Sequence, residues 1–88
     1  MKIAFEASFA RDLKRVRDKQ LLQGVQQVIE GVKEAAMIDT VAGVKKMQGY
    51  DTFYRLRLGD YRIGIEVVDD RVIFVRILPR KDIYRYFP

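Results

Sequence analysis

Hydrophobic positions in this chain change their period once, near Gly49. Before that point they recur at steps of three and four, and after it they alternate. The clearest helical stripe is Leu21, Leu22, Val25, Val28, Ile29 and Val32, with Gln20, Gln23, Gln26, Gln27, Glu30 and Lys33 on the remaining face. Asp18 stands where an N-cap belongs, after a break at Arg17. Gly24 and Gly31 each cost about 1 kcal/mol of helix propensity relative to alanine, so this helix depends on packing. Both glycines are read as room for a first helix to approach. That first helix is short, carried by Phe9, Leu13 and Val16, with Ser8 as its expected N-cap. Lys2 to Glu6 alternates weakly and suits a first strand.

Residues 35–49 are the least regular. Thr40 to Gly43 is small and turn-like, Lys45 and Lys46 are read as exposed loop, and the length implies some extended or irregular content. Beyond Gly49, Phe53–Leu58, Tyr61–Val68 and Val72–Leu78 read as strands, joined by Gly59-Asp60 and Asp69-Asp70 as tight antiparallel hairpins. Pro79 ends the last strand, and the tail from Arg80 to Pro88 is either one helical turn or an extended arm. The order β-α-α-β-β-β predicts an α+β fold, with a helical hairpin on one face of a small antiparallel sheet and the opposite face free.

Composition narrows the chemistry. Eighty-eight residues make a single domain, 1–88, and 49% hydrophobic with 33% charged residues is an ordinary globular balance. There is no cysteine, which excludes disulfides and thiolate metal sites and fits a reducing compartment. There is no histidine, which excludes imidazole zinc sites, Ser-His-Asp triads and histidine acid–base catalysis. No metal or cofactor is expected. Lacking an apolar leader or a run near the ~18 residues of a membrane span, the chain reads as soluble and cytoplasmic. Its charge of +5 favours an anionic partner, either nucleic acid or an acidic protein.

The basic residues of the second half sharpen that choice. Alternation puts Arg55 and Arg57 on one face of their strand and Tyr54, Leu56 and Leu58 on the other. Arg62 on the next strand and Arg80 after the last add two more guanidinium groups, each a flat and permanently charged fork for phosphate. The bland alternative is a solvated sheet face. In that reading Glu66, on the Arg62 face, pairs with it for about 0–1 kcal/mol. Tyr84, Tyr86 and Phe87 are either a core-capping tail or part of a working surface, whereas Tyr54 and Tyr61 read as packing residues.

The run Gly49-Tyr50 through Tyr54-Arg55-Leu56-Arg57-Leu58-Gly59-Asp60-Tyr61-Arg62-Ile63, followed by Arg80-Lys81-Asp82-Ile83-Tyr84, resembles the RelE/ParE superfamily of type II toxins over nearly the whole chain. The resemblance implies an mRNA interferase that works in the ribosomal A site by 2′-hydroxyl attack on the neighbouring phosphate. By position it implies a catalytic set of Arg55, Arg57, Arg62, Arg80 and a tail tyrosine, Tyr84 or Tyr86. Lys45, Lys46, Lys81 and Arg85 become accessory RNA contacts. The implied partners are mRNA, the ribosome and a small acidic antitoxin that forms a hetero-oligomer with the toxin. Arg55 and Arg57 stand where the best-known members have lysines. Arginine does not deprotonate, so the general base is a tyrosine, Lys81 or absent. Two alternatives follow: a ParE-like gyrase poison without nuclease activity, or an inactive remnant that binds its antitoxin.

Overall fold

The computed structural model describes residues 1–88. Its elements are β1 (Lys2–Phe5), α1 (Ala7–Leu13), α2 (Lys19–Glu34), a 3₁₀ turn at Ile38–Thr40, β2 (Val44–Lys46), β3 (Phe53–Leu58), β4 (Tyr61–Val68), β5 (Arg71–Pro79) and α3 (Arg80–Tyr86). The five strands form one sheet in the order β1-β5-β4-β3-β2. The hairpins of β3, β4 and β5 are antiparallel as their sequences imply, with Gly59-Asp60 and Asp69-Asp70 as two-residue connections. The α+β class holds, but the sheet is mixed rather than purely antiparallel, because β1 runs parallel to β5.

Two local expectations change for a common reason. Lys45 and Lys46 are not loop residues: they belong to β2, an edge strand paired with β3 through Lys45↔Arg55 and Lys46↔Tyr54. The tail is neither a single turn nor an arm, but a seven-residue helix held to the sheet by Ile83 and Phe87. Both segments are short, and each is fixed by tertiary pairing rather than by propensity.

Ser8 does not cap α1. Glu6 occupies the N-cap without a side-chain bond, and the Ser8 hydroxyl donates to the Val75 carbonyl at 2.6 Å. That bond is one of a series. β1 pairs with β5 only as far as Phe74, and side chains of α1 then cover the bare edge of β5. Asp12 Oδ2 accepts from the Ile77 amide at 3.1 Å. The same carboxylate grips Arg76 in a fork, with Nε at 2.7 Å and a terminal nitrogen at 3.0 Å. A buried carboxylate is tolerable only when so fully partnered, and here it closes an edge that water would otherwise have to satisfy. The expected Asp18 cap is present, accepting from the amides of Gln20 and Leu21 at 2.9 and 3.3 Å.

The main core lies between the helices and one sheet face, and includes Phe9, Val25, Val32, Leu56, Ile63, Ile65 and Phe74. Gly24 admits Leu58 of β3 rather than α1, and Gly31 faces open space. The other sheet face is not left free. Met47, Ile83 and Phe87 form a second, smaller core there, flanked by Phe53, Val75 and Leu78. Gly64 makes this possible, since a Cβ at that position would lie 2.6 Å from the Phe87 ring. Gly64→Ala should therefore expel the ring and destabilise the fold by about 1–3 kcal/mol in urea unfolding. Combined with Phe87→Ala, the loss should be smaller than the sum of the two single losses, because both remove the same contact. Additive losses would contradict this packing account.

Candidate functional site

Register across β2, β3 and β4 sets the site. Lys45, Arg55 and Gly64 lie opposite one another in one row, and Arg57 lies directly opposite Arg62 in the next. All face the side on which α3 packs. The β3–β4 turn then anchors two parts of the site at once. Its Asp60 carbonyl accepts the Arg80 amide at 2.7 Å, fixing where α3 begins. The Gly59 and Tyr61 carbonyls each accept from one terminal nitrogen of Arg62 at 2.8 Å.

Arg62 is the centre of the arrangement. Sequence alternation places it on an open face, yet α3 and its neighbours leave it only 6% exposed. Its Nε is buried and makes no hydrogen bond. Burial lowers its pKa from the ordinary arginine value, and the charges of Arg55, Arg57 and Arg80 lower it further, with Tyr84 acting in the opposite direction. No carboxylate is among the groups acting on it. Glu66 does not pair with it, and instead lies 3.4 Å from the Thr52 hydroxyl. A buried guanidinium surrounded by others, with one nitrogen unsatisfied, is an expensive arrangement for a folded protein to keep. An anion relieves that cost.

Arg55, Arg57, Arg62, Arg80 and Tyr84 are thus brought together. Tyr86 is not among them: it lies with Arg76 rather than Arg62, and the Arg85 guanidinium is 5.5 Å from its ring centre. Lys81 and Arg85 are exposed on α3. A cleft of about 430 Å³ opens beside the cluster, lined by Lys45, Lys46, Gln48, Tyr50, Arg55 and Tyr84, with Met47 and Phe87 at its base. Sequence reading attached no role to Tyr50. This tyrosine stands after a turn glycine at the head of the run that carries the resemblance, and nothing local reveals that the turn folds against α3. Arg76 was likewise unread. Its fork with Asp12, strengthened by hydrogen bonding, raises its pKa and takes it out of the positive cluster.

The fold has counterparts among known proteins. Residues 3–84 match the family described as ParE toxin of type II toxin–antitoxin system, parDE. Toxin RelE3 of Methanocaldococcus jannaschii is 43% identical over 89 residues, spanning 100% of both chains. A chain of the RelB-RelE antitoxin-toxin complex from Methanococcus jannaschii superposes with a TM-score of 0.82 at 40% identity, covering 97% of this chain and 99% of that one. A chain of the archaeal RelE-RelB complex from Pyrococcus horikoshii OT3 shares the fold at a TM-score of 0.73 and 20% identity, over 90% of this chain and 93% of that chain.

Like charges directly opposite across a ladder destabilise a sheet, and Arg57↔Arg62 is such a pair. Arg57→Gln should accordingly raise the stability by about 0.2–1 kcal/mol in thermal unfolding at low salt. The gain should shrink as salt screens the charges. A loss of stability at low salt would show that Arg57 is held by favourable contacts rather than against repulsion.

Proposed function

This chain belongs to the RelE/ParE superfamily of type II toxins, and we propose that it acts as a ribosome-dependent endoribonuclease that cleaves mRNA in the A site. The observation that carries the proposal is the guanidinium cluster around Arg62, which has no carboxylate to neutralise it. A structural network would place acids among those bases. A phosphate site does not.

The chemistry assigns distinct roles. The 2′-oxygen of one nucleotide attacks the adjacent phosphorus as the bond to the 5′-oxygen breaks. This leaves a 2′,3′-cyclic phosphate and a 5′-hydroxyl. Negative charge grows on the phosphoryl oxygens at the transition state, and Arg62 and Arg80 are suited to hold it. Arg62 is pre-oriented, because one terminal nitrogen is fixed to two turn carbonyls and cannot swing away. Arg55 and Arg57 add field and position the flanking backbone. None of the four can take the 2′-proton or protonate the leaving oxygen at neutral pH. Among the groups acting on Arg62, only Tyr84 carries a proton that it can give, so Tyr84 protonates the leaving 5′-oxygen while the 2′-proton passes to water.

The partner that holds the toxin inactive is an acidic antitoxin of the RelB kind, the class named in the complexes of similar fold. Its carboxylates would occupy the positions that substrate phosphates take on the cluster.

A gyrase-poisoning role is the second reading, favoured by the ParE description of the matching family and by arginine at both strand positions. A primer-extension map of a reporter mRNA after brief induction separates the two. In-frame cuts within translated codons are expected, and Arg62→Ala should lower the cleavage rate roughly 100-fold. An Arg62→Ala/Arg80→Ala variant that remains folded should not arrest growth. Growth arrest with an intact message and DNA damage would establish the gyrase reading, and unchanged toxicity of the folded double variant would exclude the guanidinium cluster from either action.

A further inference from the structure

The cleft beside the cluster differs from the other principal clefts of the molecule in one respect. The two grooves along α2 carry Glu34, the groove at the α1–α2 break carries Asp18 and Asp60, and the hollow under α1 carries Asp12 and Asp82. The cleft of β2 and α3 carries no aspartate or glutamate side chain, while Lys45, Lys46 and Arg55 line it, with Pro88 at one end. It also presents two exposed aromatic rings, Tyr50 at 47% and Tyr84 at 59% exposure. Arg55 and Tyr84 belong both to this cleft and to the group around Arg62, so the two are continuous.

Tyr50 is not a loose surface ring. Gly49 adopts φ +85°, a left-handed value that turns the chain between β2 and β3 and delivers Tyr50 to the cleft. The Tyr50 ring stands edge-on to Phe53, at 5.6 Å between centres and 84° between planes. Phe53 stands edge-on to Phe87 at 5.5 Å and 90°, and Phe87 is 3% exposed in the second core. The position of an exposed ring is therefore inherited, through two perpendicular contacts, from a buried one. Rigid placement of an exposed aromatic face costs conformational freedom and gains little packing. It suits a surface that receives another flat group.

We propose that Tyr50 is a stacking platform for a base of single-stranded RNA, seating the nucleotide next to the one whose phosphate rests on the Arg62 cluster. The proposal rests on the endoribonuclease reading and deepens it, naming the contact that sets the register of the message. The cleft volume of about 430 Å³ is in the range of small-ligand sites. Lys45 and Lys46 at the rim meet the backbone. Gln48 offers an amide to a base edge.

The test is equilibrium binding of a fluorescein-labelled single-stranded oligoribonucleotide to the whole protein over a series of salt concentrations. Tyr50→Ala should weaken binding about 5- to 160-fold, the usual range for loss of one stacked base, without changing the salt dependence. Tyr50→Phe should bind within about twofold of the wild type, because the π-face is kept. Lys45→Ala should behave oppositely, lowering the slope of log affinity against log salt by about 0.7 for a lost phosphate contact to a single strand. Tyr50→Leu retains apolar contact with Phe53 and lacks a π-face, so its weakened binding would separate stacking from any loss of local structure. If the wild type binds and both Tyr50→Ala and Tyr50→Leu bind equally well, the stacking role is overturned while the nuclease reading stands. If the wild type shows no saturable binding of RNA, the stacking platform is overturned, while the ribosome-dependent nuclease reading is decided separately by the in-frame cleavage map.

Discussion

One missing atom organises the functional half of this molecule. Gly64 has no Cβ, so the Phe87 ring lies directly on β4, where any other residue would hold it off. With Phe87 seated, Ile83 and Met47 close a second core, and α3 is drawn across a sheet face that alternation alone would leave to solvent. Everything that distinguishes the site follows from that helix. It brings Arg80 and Tyr84 towards the strand arginines, buries Arg62, and supplies one wall of the cleft. The sheet thus has two cores, a large one that holds the fold together and a small one that holds the site in shape.

Two arginine environments, one half-buried and one buried, show how charge is divided between these roles. Arg76 is matched to Asp12 by two hydrogen bonds, and the pair seals the edge of β5 where β1 stops. Its charge is used up in holding α1 against the sheet. Arg62 has turn carbonyls for one nitrogen, nothing for Nε, and three other guanidinium groups for neighbours. Such a cluster lowers stability where it stands and is sustained by the packing around it. A binding site for a polyanion requires this imbalance, because a cluster already neutralised by carboxylates has no field left for a ligand.

What the sequence disclosed and what it hid divide along a physical line. The alternation of β3 to β5, the helical stripe of α2 and the Asp18 cap are local signals, and each was readable because the residues that set it are neighbours in the chain. So was the shared face of Arg55 and Arg57. The other features depend on partners far away in sequence. Ser8 has the chemistry of a cap, but the Val75 carbonyl, 67 positions on, competes for its hydroxyl and wins. Lys45 and Lys46 become a strand only because β3 offers them an edge. Arg62 was legible as a basic residue on the correct face, but its burial was not, since that required knowing that nine C-terminal residues fold back onto Gly64. The same applies to Tyr50, whose role as cleft wall depends on two aromatic contacts that no periodicity records.

Within the proposed nuclease reading, arginine at both strand positions, 55 and 57, has a definite mechanical meaning. A lysine among cations can lose its proton and serve as a base, so strand lysines would combine charge stabilisation with proton transfer. Guanidinium groups cannot combine these functions. On the endoribonuclease reading proposed above, the strands supply a fixed field and proton exchange falls to the helix laid over them, where Tyr84 stands. The separation places one part of the chemistry on interior strands of the sheet and the other on a short helix held by the turn carbonyl of Asp60, Ile83 and Phe87. On that reading, positioning of the helix on Gly64 is a condition of catalysis as well as of folding, and the small second core belongs to the site as much as to the fold.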